Sequence, residues 1–278
     1  VSFSRLRDSV AIEGVGIHTG QRCRVTIEPG DSDDPILFRR NRAEIAAWSK
    51  NVTDTSRCTR ISASGESIST VEHLMSAFAG LDIRSATVVV DGPELPILDG
   101  SAKDWVDALR PLVCGSGRPL SRPIDEAVRV EGKHGSFIEA RPAEKLSIAL
   151  TIAYDHPVIG VQTACFTESD DYEREIAPAR TFGLRSEVDA LLAAGLAKGG
   201  SLDNAIVVED DGYSAPLRFE NELARHKVLD MLGDLYLSGN LPRADIIAVK
   251  PSHTLNVALA SKLTEVFVKN WKSMPEGY

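Results

Sequence analysis

The sequence predicts an α+β fold built from two similar units. Three observations carry this expectation. Period-2 stretches rich in β-branched residues occur along the chain beside apolar stretches at helical spacing. The two kinds mix without the strict alternation of a doubly wound sheet. One helical pattern also occurs once in each half, as EHLMSAFAG at 72–80 and RHKVLDMLG at 225–233. Each copy puts a histidine near the start of an apolar helix and a glycine seven residues later. Two half-chains with one such helix each imply a duplicated α+β unit, with a site between the halves.

In chain order, CRVTIE (23–28) reads as a strand. A helix follows over 70–79, stopped at Gly80. ATVVV (86–90) is the next strand, and 105–112 the next helix. CGSGRPLSRP (114–123) is rich in Gly, Ser and Pro and lacks periodicity, which marks a linker. It divides the chain into units of 1–120 and 124–278, both ordinary domain sizes. In the second unit LSIALTIA (146–153), AIVV (205–208) and IIAV (246–249) read as strands. Helices are expected over 187–194, stopped at Gly195, and over 222–237 and 255–271. The last has apolar residues at 255, 259, 263, 266 and 267, the spacing of one buried face.

The 278 residues are 43% hydrophobic and 26% charged, which excludes a disordered, collagen-like or coiled-coil chain. No apolar stretch reaches the ~18–20 residues of a membrane span. The opening VSFSRLRDSVAIEG has no apolar core of a secretory signal, so the expected location is the cytoplasm. A net charge of −9 argues against a sequence-blind nucleic-acid binder. It leaves room for an anionic small substrate held by a few local cations. Cys23, Cys58, Cys114 and Cys165 are scattered without a Cys-x-x-Cys pair and read as free thiols in a reducing compartment.

The histidines carry the chemistry. His226 and Asp230 are spaced i, i+4, one turn apart on one helix face. Lys227 and Asp234 fall in the same arc, while Val228, Leu229 and Leu232 take the other side. A solvated polar face is the ordinary explanation of such a stripe; a metal site is the other. Glu72-His73 supplies a third ligand and a base beside it, since a catalytic zinc typically takes three protein ligands and one open position. Glu72 has a structural alternative, because Ser69-Thr70-Val71-Glu72 has capping-box spacing. His253, in KPSHT between a strand and a helix, sits where catalytic groups often project. His18 lies in the Gly-rich turn GVGIHTG, where backbone can approach a ligand. His134 and His156 read as surface residues, although Asp155-His156-Pro157 could line a cleft.

Taken in order, these segments resemble one family. They are GVGIHTG (14–20), ISTVEHLMSAFAGLDI (68–83), PELPILDGSA (93–102), ARTFGL (179–184), GLAKGGSLDNAIVV (195–208), LRFENELARHKVLDMLGDLYL (217–237) and KPSHTLNVALASKL (250–263). The family is UDP-3-O-acyl-N-acetylglucosamine deacetylase (LpxC), the zinc amidase of early lipid A synthesis. The resemblance implies two β-α-α-β domains, each with a small insert, packed as a sandwich with helices between the sheets and the active site at their interface. It implies one Zn2+ per chain on His73, His226 and Asp230; Fe2+ also suits such ligands. Glu72 takes the role of general base, and His253 that of the general acid, oriented and kept charged by Asp234. Lys227 and Thr181 steady the substrate carbonyl and its oxyanion. Phe182 and the turn at 195–201, with Gly199, form part of an apolar passage for the ester-linked acyl chain. Lys250 and Arg141 are the implied partners of the UDP phosphates, and His18 joins the substrate-binding set.

The expected substrate is therefore a UDP-sugar lipid, met by a monomer that touches the membrane surface transiently. Pro251 and Ser252 precede His253 where the family more often has a Gly before that His, and Arg141 stands where a Lys is common. The stretch 157–176 matches poorly. Two other readings remain: a zinc hydrolase of another amide, and a catalytically silent homologue that binds UDP-lipid. The absence of His-Glu-x-x-His counts against a zincin peptidase. Glu72, Thr181 and His253 are groups that a pure binder would not need.

Overall fold

Two main sheets carry the fold, and each draws its strands from one half of the chain. This computed structural model describes residues 4–31, 35–115 and 121–273. Of the expected linker 114–123, residues 116–120 lie outside the described residues. The first half runs β1 (Val10–Val15), β2 (Arg22–Pro29), β3 (Leu37–Arg40), β4 (Ala43–Ala46), β5 (Val52–Asp54), β6 (Arg60–Ala63), β7 (Glu66–Ile68), α1 (Glu72–Gly80), β8 (Ala86–Val90) and α2 (Lys103–Leu109). The second runs β9 (Val128–Glu131), β10 (Phe137–Pro142), β11 (Ser147–Ala153), β12 (Val161–Thr167), α3 (Tyr172–Glu175), β13 (Phe182–Leu184), α4 (Arg185–Ala193), β14 (Ile206–Val208), α5 (Glu222–Tyr236), β15 (Pro242–Val249) and α6 (His253–Ser273).

The sheet orders are β1-β2-β8-β3-β4 and β9-β10-β15-β11-β12. Both follow the same plan: two hairpins flank the last strand, which is antiparallel to the second strand and parallel to the third. In both, a helix leads into the last strand and another leaves it. In both, an insert precedes the leading helix. The first insert is the antiparallel sheet β5–β7; the second is the parallel pair β13–β14 with α4. The duplication read from two short segments thus extends to the whole topology.

Several expected elements keep their places, and the differences have physical causes. AIVV forms β14, but in the second insert rather than in a main sheet. The hairpin strands β9 and β10 were not expected. They alternate apolar with charged residues, and Arg129, Glu131, Glu139 and Arg141 pair with one another across the face opposite Ile138 and Ala140. Such strands are amphipathic and do not read as continuous apolar runs. The last helix starts at His253, so that histidine opens a helix instead of lying in a loop.

Inward residues of both sheets, such as Val25, Val88, Ile148 and Ile246, join α1 and α5 in one continuous core. α5 is buried on nearly every side, and the buried set includes Glu222, His226, Asp230 and Asp234. The solvated-stripe explanation therefore fails, since an ionisable group in such a place must be paired. The two glycines of the repeated pattern mark close approaches. A Cβ on Gly80, the last residue of α1 rather than a stop beyond it, would meet the Tyr172 ring at 2.1 Å. A Cβ on Gly233 would lie 2.0 Å from the Glu72 carbonyl oxygen, so α1 and α5 touch backbone to backbone.

Gly233→Ala must push these two helices apart. It should cost about 2–3 kcal/mol in chemical denaturation, at the upper end for overpacking a filled core. Gly212→Ala, where nothing lies within 4 Å, should be close to neutral in the same assay.

Candidate functional site

The site forms where the first turn of α1 meets the middle of α5 and the start of α6. α1 opens without a side-chain cap: its N-cap is Val71, and Thr70 before it has a left-handed φ of 61°. The capping box does not form. Ser69 Oγ instead accepts from Arg60 Nε at 2.9 Å, and Glu72 Oε2 accepts from the Thr59 N–H at 3.0 Å. Thr70 donates to buried Glu94 at 3.0 Å, and Glu94 also accepts from the N–H groups of His18 and Thr19. This ties the Gly-rich turn to the start of α1.

His73, His226 and Asp230 converge, with one potential ligand atom from each lying within 4.8 Å of the others. Asp230 Oδ1 stands 3.6 Å from His73 Nε2 and 3.4 Å from His226 Nε2. This oxygen is buried and has no hydrogen-bond partner among the described residues. The other oxygen, Oδ2, accepts from Lys227 Nζ at 2.8 Å. His226 Nδ1 lies 3.0 Å from the Ala179 carbonyl oxygen, to which it can only donate. That fixes the tautomer and leaves the Nε2 lone pair facing Asp230. Burial pushes His226 down to about 3, so its ring stays neutral. Burial opposes the Asp230 charge, yet His226, Lys227 and His253 together hold its carboxyl well below the usual range. Two imidazole nitrogens and an orphaned carboxylate oxygen fit a divalent cation with an open position.

Beside this cluster stand a carboxylate and an imidazole. Glu72 is 2% exposed, and burial lifts its carboxyl to about 7, partly offset by His253 and His73. Its Oε1 lies 3.9 Å from His253 Nε2. His253 Nδ1 is 2.8 Å from Asp234 Oδ2. Burial works against charge on His253, but Asp234, Asp230 and Glu72 outweigh it and raise the imidazole to about 9. Asp234 is fully buried and also accepts from Thr59 Oγ1 at 2.6 Å and Asn256 Nδ2 at 2.9 Å.

Two cavities meet here. One, of about 460 Å³, is walled by Ile17, Ile97, Phe182, Val188, Leu191 and Val207 and reaches Glu72 and His73. The other, of about 380 Å³, is polar and includes Thr55, Arg57, Tyr154, Lys227, Ser252 and His253. Thr181 and Phe182 border both. The Phe182 ring sits 6.4 Å from the His226 ring, with Lys227 Nζ 5.6 Å above it. His18 faces the apolar cavity, and burial lowers its pKa.

Three expected substrate residues stand outside both cavities. Gly199 donates its N–H to Ile17 and lies against the Gly16 carbonyl, docking the second insert on the Gly-rich turn. Lys250 follows β15 directly with a left-handed φ of 48° and is exposed. Arg141 pairs with Glu139 at 2.6 Å on the outer face of its sheet. His134 lies exposed in a turn, and His156 Nδ1 accepts from the Val158 N–H within a hairpin turn. Sequence reasoning missed Thr59, Glu94, Tyr154 and Asn256. Asn256 had a signal, since it follows His253 at i, i+3 on one helix face. Thr59 had none.

Comparison with known proteins agrees over nearly the whole chain. The family model for UDP-3-O-acyl N-acetylglycosamine deacetylase matches residues 4–265. A curated protein of Nostoc sp. is 38% identical over 271 residues, spanning 93% of this chain and 96% of its own. One of Syntrophotalea carbinolica is 39% identical over 273 residues, spanning 94% and 87%. One of Anaeromyxobacter sp. is 40% identical over 260 residues, spanning 91% and 86%. All three are named UDP-3-O-acyl-N-acetylglucosamine deacetylase.

The orphaned oxygen makes a direct prediction. Elemental analysis of purified protein should find about one divalent metal per chain, as a site with three protein ligands requires. Asp230→Ala should abolish tight binding. Glu72→Gln should keep the metal, because Glu72 is not one of the three converging ligands.

Proposed function

The chain belongs to the UDP-3-O-acyl N-acetylglycosamine deacetylase family, and we propose that it hydrolyses the N-acetyl group of UDP-3-O-acyl-N-acetylglucosamine. The products are UDP-3-O-acyl-glucosamine and acetate, and the step belongs to lipid A biosynthesis. The observation that carries this reading is the Asp230 oxygen left unpartnered between two imidazole nitrogens, with a raised carboxyl and a raised imidazole beside it. We assign the metal as Zn2+, one per chain; Fe2+ suits the same donors. When bound, the metal supplies Lewis-acid polarisation of the carbonyl and lowers the pKa of water toward ~7.

The chain's own residues would then do the following. Glu72 takes a proton from the attacking water, and its raised carboxyl matches a base working near neutrality. His253, charged and oriented by Asp234, gives a proton to the leaving amine. Lys227 and the Thr181 hydroxyl oppose the negative charge that develops on the carbonyl oxygen. The cavity behind Phe182 takes the acyl chain, with His18 along its wall and Gly199 holding that wall in place. Lys250 is the proposed partner of the diphosphate. Arg141 would have to release Glu139 to join it. The proposed assembly is a monomer. A lipid-bearing substrate supports transient contact with a membrane surface from the cytoplasm. Among the described residues no helix is long and apolar enough to cross a membrane. The division at 1–120 and 124–278 belongs to this same proposal, with each unit holding one copy of the sheet topology.

Acetate release tests the reading. The protein should release acetate from the UDP-lipid, and a chelator should stop it. Removing four methylenes from the acyl chain should cost about two orders of magnitude in kcat/KM, at ~0.8 kcal/mol each. Equal turnover of UDP-N-acetylglucosamine without the chain would contradict the assignment of the apolar cavity.

The pH profile should be a bell. Glu72 must be ionised, so activity falls on the acid side. His253 must be charged, so activity falls on the basic side. Asp234 raises the imidazole, so Asp234→Asn should move the basic limb to lower pH and slow the reaction.

A further inference from the structure

We propose that Thr59 is a positioning residue that holds the base and the acid of this site in one frame. The proposal rests on the reading of Glu72 as base and of His253 with Asp234 as acid. Thr59 is fully buried and lies just before β6 of the first insert. Its backbone N–H donates to Glu72 Oε2 at 3.0 Å, and its carbonyl accepts from the Val71 N–H at 3.3 Å. Its hydroxyl donates to Asp234 Oδ1 at 2.6 Å. One residue of the first half therefore touches the carboxylate of α1 and reaches across to a carboxylate of α5.

The hydroxyl matters through Asp234. That carboxylate is fully buried, and its Oδ2 serves His253 Nδ1 at 2.8 Å and Asn256 Nδ2 at 2.9 Å. Among the described residues, Oδ1 has Thr59 as its one hydrogen-bond partner. The hydroxyl oxygen also lies 3.4 Å from His253 Nδ1, close to the same proton. Without the hydroxyl, one oxygen of a buried carboxylate is left unsatisfied, and the group is free to turn. Turning carries the acceptor of the His253 N–H with it and re-aims the ring that must face the leaving amine. Glu72 keeps its own bond, because that donor is backbone. Thr59 thus separates into a backbone role toward the base and a hydroxyl role toward the acid.

Thr59→Val removes the hydroxyl and keeps the shape and the backbone N–H. We expect kcat for the UDP-lipid to fall about 10–100-fold, the usual worth of such an outer partner. KM should stay within about twofold and bound metal should be unchanged, since no ligand or substrate contact is removed. Thr59→Ser should restore most of the rate. Adding Thr59→Val to Asp234→Asn should cost less than about twofold more, because the hydroxyl acts through the carboxylate. A wild-type kcat in Thr59→Val, a Ser variant as slow as Val, or a full further loss in the double variant would each overturn the proposal. If Asp234→Asn is slow and Thr59→Val is not, Thr59 alone is misassigned. If Asp234→Asn runs at the wild-type rate, the acid pair falls and takes this proposal with it.

Discussion

The structure depends on bringing two imidazole nitrogens and one carboxylate oxygen together out of water. In an apolar interior such a cluster is unfavourable unless something positive completes it. His73 and His226 come from the repeated helices, one from each half, so the cluster exists only where α1 and α5 touch. That contact requires Gly233, whose missing side chain lets the Glu72 carbonyl approach. In α5 the histidine and glycine of the pattern therefore work together: Gly233 brings the helices close, and His73 and His226 use the closeness, whereas Gly80 makes room for Tyr172.

The charges around the cluster are sorted by environment rather than by residue type. Burial is the largest influence in pushing His226 down to about 3 and Glu72 up to about 7, while three carboxylates carry His253 to about 9 against it. Titratable groups whose pKa values are driven apart within a few ångströms are the mark of divided acid and base roles. Lys227 stands at the centre of this arrangement, bonded to Asp230 and poised over Phe182. On the proposed reading the two cavities divide the substrate in the same way. An apolar chamber built largely by the second insert meets a polar one at Thr181 and Phe182, with His73 lining both and His226 and Asp230 lining the polar one.

Much of this was legible in the sequence where spacing is local. His226 and Asp230 are neighbours on a helix by arithmetic, and so are Asp230 and Asp234. The repeat predicted a duplicated unit, although the hairpins that prove it were hidden. Strands such as β9 and β10 carry paired charges on one face and so never form an apolar run. The partners that act across distance were not legible. Thr59 is 175 residues from the Asp234 it bonds, and Glu94 is 76 from the His18 turn it anchors. No local pattern announces a hydroxyl or carboxylate whose use lies on another element. The capping box at Ser69 shows the converse: the spacing was right, but the left-handed Thr70 turned Ser69 toward Arg60 instead.

The ligand set itself is the claim on which the rest stands. X-ray absorption at the metal edge of zinc-reconstituted protein reads it directly. The account predicts a first shell of nitrogen and oxygen only, with the outer scattering of two imidazole rings at the short Zn–N distance of ~2.0–2.1 Å. Sulfur scattering at ~2.3 Å, which would draw in Cys58 from the neighbouring wall, or the signature of a single imidazole, would contradict it.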